Sequence, residues 1–455
     1  MSQALSDLLG SKQVRTDPES LKNYGKDWTN GFTVAPSAIV FPESNDQVVD
    51  LVRYAIDQNV QLVPSGGRTG LSGGAVAGQG EVVVSFDRMN KILDFNAEDR
   101  LVTCQAGVIT QTLQEFAEAQ GLFYPVDFAS AGSSQIGGNV STNAGGIKVI
   151  RYGLTRDWVA GMRVVTGGGE LLDCNAGLVK NATGYDLRHL MIGAEGTLGL
   201  VCEVDVRLAA MPEPQTVMVV GVPKVEDLLA VLQAFSKNVT LSAFEFFSDL
   251  ALAKVQAHRD LPSPLAESVA FYALMEFDTS GLDAASEAFN DCMEAGWVVD
   301  GVISQSDAQA AALWGLREGI SESIAPYTPY KNDLSVTIKQ VPEFLRDVDR
   351  YVAESYPDFE VCWYGHIGDG NLHLNILKPD DMSVEDFMAQ GHAMSPSIFA
   401  LVEERKGSIS AEHGVGLLKK DFLGYTRSEA EISLMRGLKD LFDPHQILNP
   451  GKLLV

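Results

Sequence analysis

The chain has 455 residues, of which 45% are hydrophobic and 21% are charged, and its formal net charge is -26. This length predicts two or three domains with substantial cores. The negative charge argues against nucleic acid as a partner, because phosphate binding depends on lysine and arginine. No apolar run reaches the ~18 to 20 residues that cross a bilayer, so no transmembrane segment is expected.

The N-terminus and the cysteines favour a cytoplasmic protein. The first ten residues lack a basic region followed by an apolar core, so no secretory signal is expected. The five cysteines are spread singly and form no Cys-x-x-Cys pair. Such spacing is typical of reduced thiols rather than of a disulfide framework.

The N-terminal half alternates between strand and helix patterns. A helix is predicted over residues 45–58, because its apolar positions recur at helical spacing and Ser44 or Asn45 can serve as N-cap. A hairpin is predicted around the three glycines that begin at Gly167. A domain boundary is predicted at residues 211–214, which contain two prolines. Further elements are strands over 38–41, 60–63, 81–85, 101–105 and 201–208, and a helix over 110–120.

Three glycine-rich segments, at residues 64–74, 132–146 and 192–199, separate these strands. Glycine lets backbone amides approach an anion closely, so each segment is a candidate phosphate cradle. The first segment lacks the Gly-Lys-Ser/Thr ending of a Walker A loop, and it does not have the spacing of a Rossmann fingerprint. One such loop alone is more often structural. Three in one half of the chain predict a large dinucleotide cofactor.

The C-terminal half contains histidines in two compact, glycine-rich segments. His366 and His373 flank a Gly-Asp-Gly-Asn turn, and His413 follows Glu412. If the flanking strands pair as a hairpin, the two imidazoles of the first segment can converge on one point. Two imidazoles and a carboxylate suit a divalent metal, with zinc first and manganese, cobalt or iron as alternatives.

The glycine-rich segments and the histidine segments together resemble the vanillyl-alcohol-oxidase-type flavoproteins, and within them the FAD-dependent D-2-hydroxyacid dehydrogenases. The resemblance covers nearly the whole chain. It rests on residues 64–70, 136–146, 192–199, 365–375 and 410–416. It implies an α+β fold with a vanillyl-alcohol-oxidase/PCMH-type FAD-binding domain (1–210), an α+β substrate-binding cap domain (211–407) and a C-terminal segment completing the active site (408–455).

The same resemblance assigns the cofactor residues. Some members of the family attach FAD through a histidine in the first loop, but this chain has Arg68 and Thr69 there, so the FAD is expected to be non-covalent. The implied FAD-binding residues are Pro64, Ser65, Gly66, Gly67, Arg68, Thr69, Gly70, Leu71, Gly132, Ser133, Gly138, Asn139, Thr142, Asn143, Gly145, Glu195, Gly196 and Asn449.

The resemblance also implies a reaction, the oxidation of a D-2-hydroxy dicarboxylate, with D-2-hydroxyglutarate expected first and 2-oxoglutarate as product. The implied metal ligands are His366, His373 and Glu412, and the implied catalytic base is His413. The implied substrate residues are Arg317, Ser321, Lys331, Asn375 and His413. Two departures from the family pattern stand out, because Ser321 replaces a common threonine and Thr337 replaces a frequent proline.

Several alternatives stay open at this point. The chain could be a D-lactate or glycolate dehydrogenase of the same fold, or a non-catalytic flavin-binding subunit of a redox complex. The residues do not identify the electron acceptor, for which an electron-transfer flavoprotein or a quinone is expected. They leave the oligomeric state open, with a homodimer as one alternative.

Overall fold

A computed structural model describes residues 1–454 of the chain. The polypeptide divides into two compact units, and each unit is discontinuous in sequence. The first unit contains Met1–Gly146, Gly153–Met211 and the stretch that begins at Glu412. The second unit contains Ile147–Tyr152 and Pro212–Ala411.

Strands and helices alternate through much of the chain. The strands are β1 (Val14–Arg15), β2 (Ala38–Val40), β3 (Leu62–Ser65), β4 (Val82–Ser85), β5 (Ile92–Asn96), β6 (Leu101–Gln105), β7 (Leu122–Phe123), β8 (Val159–Thr166), β9 (Leu171–Cys174), β10 (Gly199–Arg207), β11 (Ala209–Ala210), β12 (Gln215–Val222), β13 (Leu241–Ser248), β14 (Phe271–Asp278), β15 (Asp300–Ile303), β16 (Tyr330–Ser335), β17 (Glu360–His366) and β18 (Asn371–Leu377).

The helices fall in both units. They are α1 (Ser2–Leu9), α2 (Pro18–Tyr24), α3 (Asn45–Gln58), α4 (Thr110–Ala119), α5 (Ile136–Thr142), α6 (Val149–Tyr152), α7 (Thr155–Trp158), α8 (Arg188–Met191), α9 (Val225–Ser236), α10 (Asp249–Arg259), α11 (Leu282–Glu294), α12 (Asp307–Glu318), α13 (Ile320–Ser323), α14 (Val341–Ser355), α15 (Val384–Glu404) and α16 (Glu429–Phe442). Short 3₁₀ helices cover Ser11–Gln13, Thr279–Gly281, Ala325–Tyr327, Ile338–Gln340 and Lys420–Tyr425.

A four-stranded sheet in the order β1-β2-β4-β3 opens the first unit. Helix α3 connects two of its parallel strands and begins and ends where the sequence predicts. The Ser44 hydroxyl accepts a hydrogen bond from the Gln47 backbone N–H, which confirms Ser44 as the N-cap. The parallel strands β3 and β4 end side by side at Ser65 and Ser85. The first glycine-rich segment therefore begins at the carboxyl edge of parallel strands, the edge at which open α/β sheets bind ligands.

The C-terminal stretch of the chain returns to this sheet. The Leu62 N–H donates to the Ile447 carbonyl, and the Asn449 N–H donates to the Leu62 carbonyl, both at 2.7 Å. Ile447 and Leu448 are buried in the same hydrophobic cluster as the apolar face of α3. The stretch after Glu412 is thus part of the core of the first unit.

The second large sheet of the first unit has the order β5-β6-β10-β8-β9, with antiparallel neighbours. The hairpin between β8 and β9 turns at Gly167–Gly169, as predicted. Short helix α5 packs near β10 through Ile136 and Val140, which are buried with Val201 and Val204. This packing fixes the second glycine-rich segment against the sheet.

The second unit is built on a seven-stranded antiparallel sheet in the order β15-β12-β14-β13-β17-β18-β16. Phe247 lies opposite Tyr364, Tyr364 opposite His373, and His373 opposite Asp333. These four residues form one row on the same face of the sheet, because directly paired side chains point the same way. Helices α10, α12 and α13 cover much of this face with buried side chains such as Trp314.

No helix within residues 1–454 combines the length and the apolar character needed to span a lipid bilayer.

Candidate active site

The first glycine-rich segment of the first unit packs directly on the second. A Cβ atom added to Gly67 would lie 2.1 Å from the Ser133 carbonyl oxygen, so only glycine permits this approach. Next to it, Arg68 has a φ of 60° and its guanidinium lies 4.4 Å from the centre of the Tyr24 ring. The same guanidinium is 3.5 Å from the Asp87 carboxylate. The Arg68 side chain thus stabilises the loop through its contacts with Tyr24 and Asp87.

The space beside these loops is polar and partly open. A Cβ atom added to Gly138 would have no heavy atom of the described residues within 4 Å. Three buried polar atoms lack a hydrogen-bond partner within the described residues, namely Ser65 Oγ, Gln135 Oε1 and Asn449 Oδ1. Buried polar atoms are rarely left unpaired, so such atoms point to a polar ligand. Open glycines and unpaired polar atoms fit a bound dinucleotide.

Other predicted cofactor residues hold the local backbone. The Asn139 amide donates to the Thr110 hydroxyl at 2.7 Å, and the Thr142 hydroxyl donates to the Gly138 carbonyl at 3.2 Å. Asn143 ends α5 in the left-handed conformation and accepts a hydrogen bond from the Arg156 N–H. These side chains shape the segment. Direct contact with FAD stays a prediction for them, as it does for Pro64, Thr69, Gly70, Leu71, Gly132, Gly145 and Gly196.

Glu195, from the third glycine-rich segment, connects to the C-terminal stretch. Its carboxylate accepts hydrogen bonds from the backbone N–H groups of Val415 and Gly416 at 2.7 and 2.8 Å. Burial raises the pKa of the Glu195 carboxyl, although these two N–H groups act in the opposite direction. Its backbone carbonyl accepts from the Asn449 amide at 2.7 Å. Glu195 therefore holds the backbone that follows His413.

His413 and Glu412 begin the C-terminal stretch of the first unit. The His413 Nε2 atom lies 3.4 Å from Glu412 Oε1, and both side chains are partly buried. The Ser72 hydroxyl donates to the His413 carbonyl at 2.9 Å. The backbone at and after His413 is thus held by Ser72 and Glu195.

In the second unit, the predicted hairpin forms and brings two histidines together. His366 is the last residue of β17, two positions beyond Tyr364, and His373 lies opposite Tyr364 on β18. Both imidazoles therefore project from one face of the sheet, and their Nε2 atoms are 3.3 Å apart. Both side chains are buried.

A carboxylate lies near the Nδ1 atom of each imidazole. His366 Nδ1 is 2.8 Å from Glu245 Oε1, and His373 Nδ1 is 4.0 Å from Asp333 Oδ1. The Asn371 amide donates to Asp333 at 2.8 Å and fixes that carboxylate. Metal-binding histidines typically place a carboxylate or carbonyl behind the nitrogen that does not bind the metal.

The geometry of the two imidazoles fits a shared metal ion. Two nitrogens bonded to zinc at ~2.0–2.1 Å with a tetrahedral angle are about 3.3 Å apart, which matches the Nε2–Nε2 distance of 3.3 Å. The chemistry of the donor set also fits, because neutral imidazole suits zinc and several other divalent metals. The structure places Glu412 in the first unit, and its role as third ligand stays a prediction.

Arg317 is a buried cation next to this pair of imidazoles. It is 6% exposed, its Nη2 atom is 2.8 Å from Glu245 Oε2, and its guanidinium lies 4.7 Å from the centre of the Tyr364 ring. The short distance to Glu245 reflects charge attraction without hydrogen-bond alignment, because Arg317 Nη2 and Nε have no acceptor within the described residues. The Nε atom of the guanidinium is therefore the donor that an anionic ligand could use, while Nη2 faces Glu245.

A second cation lies on strand β16 of the same sheet. Lys331 pairs with Asn375 across the β16–β18 ladder, and its ammonium donates to the Ser321 hydroxyl at 3.0 Å. The Lys331 side chain retains solvent exposure, but protein atoms around its ammonium lower its pKa through desolvation. The Asn375 amide is buried and donates to the backbone carbonyl of His373 at 3.1 Å. The structure thus groups three of the predicted substrate residues.

Two residues of this site were missed in the sequence. Glu245 stands in the apolar run Ala243-Phe-Glu-Phe-Phe247, and Asp333 stands at the centre of strand β16. A charged residue within a buried strand requires a partner. The acidic residue that interrupts each apolar run could therefore have been recognised as part of a polar site. The identity of the partner depends on strand order, which the local sequence does not contain.

Family models match both halves of the chain. Residues 36–175 match a model described as "FAD binding domain", and residues 211–453 match a model described as "FAD linked oxidases, C-terminal domain". Relatives of known name agree with these matches. A D-2-hydroxyglutarate dehydrogenase of Stutzerimonas stutzeri (strain A1501) is 58% identical over 452 residues, which are 99% of this chain and 97% of the relative. The chain belongs to the D-2-hydroxyglutarate dehydrogenase family.

Further relatives support this assignment to the family. A D-2-hydroxyglutarate dehydrogenase of Xanthomonas citri pv. viticola (strain LMG 965 / NCPPB 2475 / ICMP 3867 / CFBP 7660) is 54% identical over 99% of this chain and 96% of its own. The mitochondrial enzyme of that name from Bos taurus is 36% identical over 97% of this chain and 81% of its own. The predicted FAD dependence and the predicted type of enzyme, a dehydrogenase, are confirmed for this family member.

Solved structures confirm the fold. A 4-ethylphenol oxidase from Gulosibacter chungangensis aligns with a TM-score of 0.78 at 18% identity, over 100% of this chain and 96% of its own. A p-cresol methylhydroxylase aligns with a TM-score of 0.74 at 16% identity, over 99% of this chain and 96% of its own. The predicted vanillyl-alcohol-oxidase/PCMH-type fold is therefore correct.

Proposed function

We propose that this protein oxidises D-2-hydroxyglutarate to 2-oxoglutarate. One observation carries the choice of a dicarboxylate: the buried Arg317 guanidinium has no acceptor for its Nε atom within the described residues, and Lys331 and Ser321 form a polar pair on the same unit. The Nε N–H of a guanidinium can donate a charge-assisted hydrogen bond to a substrate carboxylate. The relatives at 54–58% identity carry the name of this activity.

The proposed substrate residues act by binding and orientation. Arg317, Ser321 and Lys331 hold the distal carboxylate through charge-assisted hydrogen bonds, and Asn375 helps to place the end that bears the hydroxyl. Against a net charge of -26, the buried Arg317 and the exposed Lys331 supply the local attraction that an anionic substrate needs. Holding the substrate in one orientation is itself a large part of the rate enhancement.

The proton of the substrate hydroxyl passes to an imidazole nitrogen of His413, because an imidazole can act as a general base. The resemblance of residues 410–416 to the family motif supports this role. A divalent metal held by His366, His373 and Glu412 would supply charge that lowers the pKa of the hydroxyl. When bound, FAD would supply flavin N5 as the acceptor of the hydride that leaves the substrate Cα atom.

We assign a separate role to each of three consecutive segments of the chain. Residues 1–210 bind FAD. Residues 211–407 bind the substrate and contain two metal ligands, His366 and His373. Residues 408–455 contain Glu412 and His413. For the partners, we propose an electron-transfer flavoprotein or a quinone as acceptor, a cytoplasmic location and a homodimer. Assays with each acceptor class and light scattering of the purified protein test these points.

A D-lactate or glycolate dehydrogenase is the nearest alternative. A monocarboxylate has no second anion for the Lys331–Ser321 pair, which would then be without a ligand. A non-catalytic flavin-binding subunit is a further alternative. The paired imidazoles and the buried arginine favour an enzyme over that alternative, because both are suited to a small anionic substrate.

Anaerobic titration of the purified protein with D- and L-2-hydroxyacids tests the proposal. We expect D-2-hydroxyglutarate to bleach the flavin absorbance near 450 nm at lower concentration than D-lactate, glycolate or the L-enantiomer. Faster or tighter bleaching by D-lactate would favour the monocarboxylate alternative. No bleaching by any acid would favour the non-catalytic subunit.

A further inference from the structure

Glu245 occupies a central position in the second unit. It lies on β13 with a residue exposure of 1%, inside a run of apolar and aromatic side chains. One carboxylate oxygen, Oε1, is 2.8 Å from His366 Nδ1. The other oxygen, Oε2, is 2.8 Å from Arg317 Nη2. A buried carboxylate is costly unless it is paired, and here both of its oxygens face a partner.

The contact with His366 determines which ring nitrogen faces the neighbouring histidine. A carboxylate accepts hydrogen bonds and does not donate them, so the nitrogen beside it carries the hydrogen. With hydrogen on Nδ1, the His366 Nε2 atom presents its lone pair toward His373 Nε2, 3.3 Å away. That is the form in which an imidazole binds a metal.

The contact with Arg317 keeps the carboxylate in place. The guanidinium sits between Glu245 and the face of the Tyr364 ring. Since Arg317 is itself buried and cannot lose its proton, it holds the negative charge of Glu245 at a fixed position. The Glu245 side chain is thus held at both oxygens.

We propose that Glu245 is a positioning residue that orients His366 and sets its ring hydrogen, so that the Nε2 atom of His366 is ready to bind a divalent metal. This inference rests on the proposed function, because it assumes that His366 and His373 hold a metal. Nothing in the resemblance or in the sequence motifs assigns a role to Glu245. Removing such a support typically weakens metal affinity 10- to 100-fold.

The test measures zinc affinity of the FAD-loaded protein by competition with a chromophoric chelator. We expect Glu245→Ala to bind zinc about 10- to 100-fold more weakly than the parent. Glu245→Gln should lie within a few fold of the parent, because its amide carbonyl can still accept the hydrogen of His366 Nδ1. Rescue by glutamine would separate positioning from a general effect on the fold.

Glu276→Gln is the matched control. Glu276 is a buried carboxylate on the adjacent strand β14, where it accepts a hydrogen bond from Trp314 at 3.0 Å and pairs with Lys148 at 3.3 Å. This substitution should leave zinc affinity unchanged.

Loss of Glu245 leaves Arg317 buried without its counter-charge, so a double variant that removes both charges is the second test. The double variant Glu245→Leu with Arg317→Met removes both charges together, which buried ion pairs tolerate better than the loss of one partner. It should show the same weak zinc binding as Glu245→Ala.

Parent-like zinc affinity in Glu245→Ala or in the double variant would overturn the inference, as would the absence of zinc binding in the parent. An equal loss in Glu276→Gln would also overturn it, because the effect would then belong to the sheet as a whole. Flavin bleaching by D-2-hydroxyglutarate is recorded separately, so the proposed function can fail or stand independently of the role of Glu245.

Discussion

The Nε2 atoms of His366 and His373 are 3.3 Å apart in the buried face of the β17–β18 hairpin. Their carboxylate neighbours, Glu245 and Asp333, lie on the strands to either side of that hairpin. The two histidines are seven positions apart in sequence, and the register of the hairpin brings their imidazoles together.

Removal of the metal should abolish turnover and leave FAD bound. The proposed ligands lie outside the three glycine-rich segments of the N-terminal half (64–74, 132–146 and 192–199), so a chelator should strip the metal while the flavin absorbance stays with the protein. His373→Ala should have the same effect, and His258→Ala, a change at an exposed histidine, should have none. Metal analysis alongside steady-state rates checks this. Full turnover in a preparation shown to be metal-free would exclude the metal role.

Loss of the Lys331 ammonium should change substrate preference. We expect Lys331→Ala to lower kcat/KM for D-2-hydroxyglutarate by about ten- to a hundredfold, the equivalent of one charge-assisted hydrogen bond. D-Lactate has no distal carboxylate and should show little change. Steady-state kinetics with both acids provide the measurement.

Lys378→Ala is the control for this experiment, because Lys378 follows β18 and its ammonium donates to the backbone carbonyls of Pro379 and Met382. Lys378→Ala should leave kcat/KM unchanged for both D-2-hydroxyglutarate and D-lactate. Equal losses on both acids in Lys331→Ala would show that Lys331 serves the shared hydroxyacid end or the fold.

The Lys331 ammonium should also give the dicarboxylate reaction a distinctive pH dependence. Desolvation lowers its pKa below the ordinary value of 10.5, so the ammonium loses its charge at a lower pH than a solvated lysine does. The kcat/KM for D-2-hydroxyglutarate should therefore fall as pH rises through that lowered pKa, since kcat/KM reports the free enzyme. The kcat/KM for D-lactate should lack this step.

Lys331→Arg separates this effect from other titrations, because a guanidinium stays protonated across the range in which enzymes are assayed. The alkaline step with D-2-hydroxyglutarate should disappear in this variant. If the alkaline fall in kcat/KM persists in Lys331→Arg, a group other than Lys331 causes it.

FAD should be released when the protein is denatured with acid. The first glycine-rich segment contains no histidine, and Arg68 in that segment is engaged with Tyr24 and Asp87. Acid precipitation should leave a colourless pellet and a yellow supernatant, as with a sample of free FAD mixed with an unrelated protein. A yellow pellet would show a covalent flavin.

Local patterns predicted local structure well. Helix α3 begins and ends as predicted, because Ser44 caps it and its apolar residues are spaced for one face. The hairpin that was assumed for the strands flanking the Gly-Asp-Gly-Asn turn also forms, as β17 and β18. Both elements are determined by contacts close in sequence.

Partnerships between distant strands could not be predicted in this way. Glu245 precedes His366 by more than a hundred positions, and they meet because β13 lies beside β17 in the sheet. The stretch Ile147–Tyr152 belongs to the second unit although its neighbours belong to the first. No local pattern indicates either arrangement, since both depend on the order in which strands pair.

The return of the chain end to β3 has a consequence for biosynthesis. Leu62 takes its backbone partners from Ile447 and Asn449, and the Asn449 amide also donates to the Gly74 carbonyl at 2.9 Å. These contacts can form only after residues 447–449 have left the ribosome. The second unit, whose residues end at Ala411, is released earlier and can fold first. During translation, the unit that begins the chain is therefore the last to be completed.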